Sequence, residues 1–190
     1  MGKLWGLVVL VAVLLAGCDS GTSGNSNNSN SAKGSETIGG DGSACPLPVT
    51  FKLPDGWKAQ SVSKGMTLGD VSLACELDAK PAGMIGFIRV FVGDTGQSSE
   101  AVLKSFVKNY RGKGTGDSAE KYTSVKIGGT DGTEVTYVTT PPEDTGKNEA
   151  AFAVKPGAKT VLVHVGGIDN EEHENMLPGF RLVKESLSAR

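Results

Sequence analysis

Two histidines, three cysteines and a few clustered carboxylates are the residues of this 190-residue chain with the most chemistry to offer. His173 lies in Asn170-Glu-Glu-His-Glu174, and an imidazole among carboxylates suits a divalent metal. Adjacent residues on a helix do not converge on one point, however, and no HExxH spacing is present. The segment reads better as an acidic, solvated helix start that complements the helix dipole. His164 alternates with apolar neighbours over residues 161–165 and reads as a structural strand residue. No G-x-S-x-G elbow occurs in the folded region. Gly112-Lys113-Gly114-Thr115-Gly116 follows a helical pattern instead of preceding one and lacks the Walker spacing, so it reads as a loop. Trp57 and Tyr110 could stack a sugar, yet each reads more simply as a core aromatic with a polar handle. Asp131, Glu143 and Asp144 are turn and loop charges, with nothing pairing them as general acid and base. The expectation is a chain that is not an enzyme, with no catalytic residue, no metal and no cofactor; its ligand-binding residues are left open.

Cys18 is the exception. It follows a short charged start at Lys3, an apolar run over residues 4–15 broken only by Gly6, and the small residues Ala16 and Gly17. That is the layout of a secretory signal peptide. As a membrane span the run is too short, because crossing the hydrocarbon takes about 20 apolar residues. Its end, Leu15-Ala16-Gly17-Cys18, resembles the lipobox of bacterial lipoproteins. The resemblance implies removal of residues 1–17 and a diacylglycerol, palmitate-type chains included, on the Cys18 thiol. Two acyl chains hold far better than one, since each buried methylene adds about 0.8 kcal/mol. The alternative is an ordinary secreted protein with a chance cysteine near its cleavage site. Lipid on Cys18 also resolves the odd cysteine count, leaving Cys45 and Cys75 as a pair in an oxidising compartment. A disulfide between them closes a loop of about thirty residues, for which chain entropy gives about 3 to 4 kcal/mol. Two buried free thiols, behaving as small apolar side chains, are the other possibility.

Charge narrows the partners. The formal net charge is −2, becoming −3 when Lys3 leaves with the signal. Basic residues are scattered without aromatic interleaving, so nucleic acid is not an expected partner. Residues 19–44 are Ser, Gly and Asn with one larger apolar side chain, Ile38. Such a stretch buries too little to offset its ordering entropy and is expected to be a disordered tether over 18–44. As a coil of 26 residues, it would reach about 25 to 30 Å.

Residues 45–190 read as one domain. Alternation predicts strands at 49–53, 57–62, 71–77, 85–92, 122–127, 133–140, 149–155 and 160–165. The first two are expected to form a hairpin about Pro54-Asp55-Gly56, and Val71, Leu73, Cys75 and Leu77 to share one buried face. Ser98 or Ser99 caps a helix to about Tyr110, with Val102, Leu103, Phe106 and Val107 on its core side. Asp169 or Asn170 caps a last helical turn, and Pro178 is expected to open a second helical piece. The class is α+β, a mainly antiparallel sheet with helices packed on it.

Within that order, Phe51-Lys-Leu-Pro-Asp-Gly-Trp57 resembles the opening strand and turn of the PsbP-like fold, and Leu177-Pro-Gly-Phe180 with Ser186-Leu187 its closing helix. With the lipobox, the Ser/Asn/Gly stretch and the cysteine pair, the chain looks most similar to the LpqN-type lipoproteins of actinobacteria. The resemblance implies an α/β/α sandwich and a non-catalytic role, binding or assisting a larger assembly; it transfers no site residues. The expected function is a membrane-anchored extracytoplasmic module for a cell-envelope protein, on the outer face of the cytoplasmic membrane of a Gram-positive actinobacterium. The alternative is a carrier or sensor of a small apolar ligand, glycolipid or cell-wall fragment, and an envelope hydrolase comes third.

Overall fold

In the computed structural model, Gly2 and residues 31–111, 119–139 and 146–190 are described. Alternating, β-branched runs form the strands β1 (Thr37–Gly39), β2 (Val49–Lys52), β3 (Lys58–Ser61), β4 (Thr67–Leu68), β5 (Val71–Asp78) and β6 (Phe87–Gly93). Helix α1 (Ser99–Arg111) follows, then β7 (Lys121–Ile127), β8 (Thr130–Thr139), β9 (Lys147–Val154), β10 (Thr160–Val165), helix α2 (Asn170–Ser186) and β11 (Ser188–Ala189). The large sheet has the order β3-β5-β6-β10-β9-β8-β7, with β4 paired to β5, and its pairings are antiparallel. A small antiparallel sheet, β1-β2-β11, stands apart from it.

Period decides the layering. On β9 and β10 both faces are covered, so nearly every position is buried and successive residues serve different cores. Leu162, Ala151 and Ala153 pack with Val102, Leu103, Phe106 and Val107 of α1. Val161, Val163, Phe152 and Val154 pack with Met176, Phe180 and Val183 of α2 and with Ile38, Val49 and Phe51 of the small sheet. The result is the expected sandwich, with the small sheet joining the α2 layer. Asp169 caps α2, its Oδ1 accepting from the Glu172 N–H at 2.8 Å, and Ser98 Oγ accepts from the Ala101 N–H at 3.3 Å at the start of α1.

Four expectations are corrected. Residues 57–62 do not fold back on 49–53: β3 pairs with β5, and β2 belongs to the other sheet. The four apolar residues of β5 do not share a face, because the register shifts between Leu73 and Cys75. That bulge turns Val71 and Leu73 toward α1, and Cys75 and Leu77 toward α2. Pro178 lies inside a continuous α2; the lost helical hydrogen bond, about 3 kcal/mol, is offset by burial of Met176, Phe180 and Val183 on both sides of it. The tether does not run to residue 44. Its one large apolar residue, Ile38, is 0% exposed and sits opposite Phe51 in β1-β2, and Lys33 already accepts a backbone hydrogen bond from Asp55.

Candidate functional site

Two adjacent strands each carry one ionisable residue into the core beneath α1: β10 contributes His164 and β9 contributes Glu149. Their side chains are 1% and 3% exposed, with Nε2 and Oε2 3.0 Å apart. The approach is close but off the direction of a hydrogen bond, so it is a charge contact when the imidazole carries a proton. Glu149 Oε1 accepts instead from the Thr139 hydroxyl at 3.4 Å. A Cβ at position 166 would collide with the Glu149 carboxylate, so any larger residue there would have to displace it. Three rings surround His164: Tyr110 at 4.5 Å, Phe106 at 5.4 Å and Tyr137 at 6.4 Å between centroids.

Burial sets the protonation of this shell. Desolvation, then the Glu149 charge, pushes the Tyr110 phenol up to about 12 and raises Tyr137 well above its ordinary range. Desolvation lowers His173, against the pull of Glu149 and Glu174. Near pH 7 both phenols therefore keep their protons and His173 is neutral. Tyr137 Oη, Glu149 Oε2, both His164 nitrogens and His173 Nδ1 are buried without a hydrogen-bond partner, a concentration that native cores rarely carry. What the cluster offers is one acceptor carboxylate, hydroxyl donors and imidazoles.

Two clefts open beside it. One, of about 390 Å³, runs along α2 and is lined by Tyr137, Glu149, His173, Leu177, Phe180 and Arg181 among others. The other, of about 310 Å³, is lined by Lys80, Ile85, Phe87, Arg89, Tyr110 and Ile168. Glu172 positions its loop, with Oε1 accepting from the Ile85 and Gly86 N–H groups at 2.8 and 2.9 Å. Lys80 Nζ sits 4.6 Å from the Phe87 ring centre, and Arg89 pairs with Glu76 at 2.8 Å.

The residues singled out in the sequence fall as follows. Cys45 and Cys75 are joined by a disulfide, Cα–Cα 5.8 Å, which ties the segment before β2 to β5. Cys18, Glu143, Asp144 and the glycines 112, 114 and 116 lie outside the described residues. Trp57 and Tyr110 are in the cores on opposite sides of the sheet and form no joint platform. Asp131 pairs with Lys126 at 2.7 Å on the surface. His164 is a strand residue as read, but His173 is 4% exposed, so the solvated helix start holds for its neighbours and not for the imidazole. Among the described residues no three His, Cys, Asp or Glu side chains converge on a metal site, and no helix is long and apolar enough to cross a membrane. The sequence reading missed the Glu149–His164 pair and the Ile85–Ile168 cleft. A His at an inward position of an otherwise apolar strand was the one signal for the pair.

The fold has solved counterparts. Cyanobacterial PsbP, CyanoP, from Synechocystis sp. PCC 6803 superposes with a TM-score of 0.54 at 13% identity, over 80% of this chain and 97% of that one. LpqN of Mycobacterium tuberculosis, a protein involved in cell envelope biogenesis, gives 0.52 at 13% identity, over 80% and 88%. These likenesses establish the PsbP-like, LpqN-type fold read from the sequence. No curated protein matches the chain in sequence. A family model described as uncharacterised lipoprotein matches residues 17–187.

Proposed function

The chain belongs to that family of uncharacterised lipoproteins, and from this premise we propose that it is a lipid-anchored, non-catalytic binding module of the cell envelope, docking on an envelope protein. Lipid on Cys18 holds it at the outer face of the cytoplasmic membrane. One observation carries the docking: of the three exposed large apolar side chains among the described residues, two, Ile85 (55%) and Ile168 (58%), line the same cleft. Single exposed apolar residues are ordinary, but two beside an aromatic floor and an Arg have the makeup of an interface core. Phe87 is that floor, and Lys80 and Arg89 give the cleft a basic edge. The partner that fits presents an apolar side chain within an acidic surround. LpqN's involvement in envelope biogenesis supports the same setting.

The test is capture of the lipidated protein with its neighbours after in-cell crosslinking, in the native chain and in Ile85→Glu/Ile168→Glu. The double variant is expected to lose the partner while staying folded and membrane-bound. Undiminished capture contradicts the docking site, and Cys18→Ala remaining in the membrane fraction contradicts the anchor.

A further inference from the structure

The cleft lined by Ile85 and Ile168 also holds two cations and no carboxylate. The acids around it are engaged elsewhere. Glu76 accepts from Arg89 Nε at 2.8 Å, Asp78 Oδ1 from the Lys80 N–H at 2.9 Å, and Glu172 Oε1 from the Ile85 and Gly86 N–H groups. Glu149 lies against His164 behind Gly166. Lys80 Nζ, the two Arg89 Nη groups and Tyr110 Oη, in contrast, have no hydrogen-bond partner among the described residues and are open to solvent.

These donors surround an aromatic floor. Arg89 and Phe87 are two positions apart on β6 and so share a face. The Arg89 guanidinium carbon is 5.5 Å from the Phe87 ring centre, and Lys80 Nζ is 4.6 Å from it. Burial, then the Glu149 charge, pushes the Tyr110 phenol up to about 12, and the Arg89 charge pulls it back. At pH 7 the phenol therefore keeps a proton to donate, with Arg89 within electrostatic reach. Charged donors bind a carboxylate roughly twice as strongly as neutral ones bind a neutral acceptor, while an apolar side chain laid on Phe87 gains by burial.

Size and spacing choose the occupant. A volume of about 310 Å³ is at the lower end of small-ligand sites, room for a chain end and not for a length of chain. In an extended segment the neighbours of an apolar side chain point to the opposite face, and the next residues on its own face are about 7 Å away. That exceeds the 5.5 Å between ring and guanidinium. A C-terminal residue carries its carboxylate and its side chain on one Cα, so a single residue meets both groups.

We infer that this cleft binds the C-terminal residue of the docking partner, its apolar side chain on Phe87 between Ile85 and Ile168 and its α-carboxylate on Arg89 and Tyr110, with Lys80 alongside. The inference rests on the docking reading and names the part of the partner that enters the cleft. The step is binding alone, with no bond made or broken.

The experiment uses the lipidated protein in detergent micelles and saturation-transfer NMR with N-acetyl-leucine, its primary amide and N-acetyl-glycine. N-acetyl-leucine is expected to bind with a Kd on the order of a millimolar, detectable at about 10 mM. The amide, which lacks the charge, and the glycine compound, which lacks the side chain, should each bind about ten-fold more weakly. Arg89→Gln should make acid and amide equal. Lys80→Gln, at an exposed position, should lower the acid-to-amide ratio about three-fold and is the arm that folds if Arg89→Gln does not. Because each variant is read by a ratio of two ligands, a general loss of fold does not imitate the result. No saturation transfer from N-acetyl-leucine, equal binding of acid and amide to the native protein, or a ratio unchanged in Lys80→Gln overturns the assignment. In cells, an adduct formed from a photo-crosslinking residue at Ile168 should map to the C-terminal peptide of the captured protein. An adduct on an internal peptide overturns the terminus and leaves docking in place, whereas no adduct removes both.

Discussion

Replacing Glu149 and His164 by leucine, singly and together, should give a strongly non-additive result. The two side chains are almost fully buried, with His164 Nε2 and Glu149 Oε2 3.0 Å apart. His164→Leu leaves the Glu149 carboxyl group buried without the imidazole beside it, and removing one partner of a buried pair this way costs about 3 to 5 kcal/mol. Glu149→Leu removes the carboxylate from beside an imidazole whose nitrogens already lack a hydrogen-bond partner, and should cost less, about 1 kcal/mol. The double variant removes both polar groups and fills the space with apolar side chains, a replacement that is often neutral or stabilising. The double variant should therefore lie within about 1 kcal/mol of the native protein, giving a coupling of about 3 kcal/mol or more. Urea unfolding followed by circular dichroism at pH 7 measures all four proteins. Against a total stability of about 5 to 15 kcal/mol, the singles should shift their midpoints plainly. A double variant as unstable as the sum of its singles would refute the reasoning, because it would mean the two polar groups are not the coupled buried liability argued here.

Three other outcomes follow from the same structure. Ile38→Ala should cost about 2 to 5 kcal/mol, since Ile38 is 0% exposed between the small sheet and the core; a change near zero in a urea titration would return this segment to the tether. Cys45→Ser/Cys75→Ser should lose about 3 to 4 kcal/mol, and non-reducing peptide mapping of the native protein should recover the two cysteines in one crosslinked fragment. Desolvation raises the phenol pKa of all three tyrosines, Tyr110 to about 12. The unfolded chain then releases these protons first, so stability should fall as pH rises from 10 toward 12, and phenolate absorbance should appear only with unfolding. Phenolate at pH 10 in a chain still folded by circular dichroism contradicts that burial.

What could be read from the sequence was local. The apolar run before Cys18 and the alternating strands carry their meaning within a few residues, and the order of strands and helices was enough for the α+β class. The pairing of Cys45 with Cys75 was legible only through the odd count that lipid on Cys18 resolves. What escaped depends on contacts distant in the chain. Glu149 and His164 meet because β9 and β10 are neighbours in the sheet, and nothing local to either residue says so. His173 looks solvated because Glu171, Glu172 and Glu174 surround it in sequence, yet on α2 it shares the inward side with Met176 and Phe180. Ile38 sits in a run too polar to predict a strand and is ordered by β2, while the β5 bulge leaves the alternation of types intact and changes only where they point. Ile85 and Ile168 come from separate loops, brought together where Glu172 holds the 84–86 turn against α2.

The most direct test of a docking module is a photo-crosslinking residue placed at Ile168 in the lipidated protein in cells, compared with one at Lys126. Lys126 is exposed at the β7-β8 turn, at the other end of the sheet from the cleft. The account predicts a discrete protein adduct from position 168 that is absent from 126 and lost when Ile85→Glu is added. No adduct at 168, or the same adducts from both positions, would contradict it.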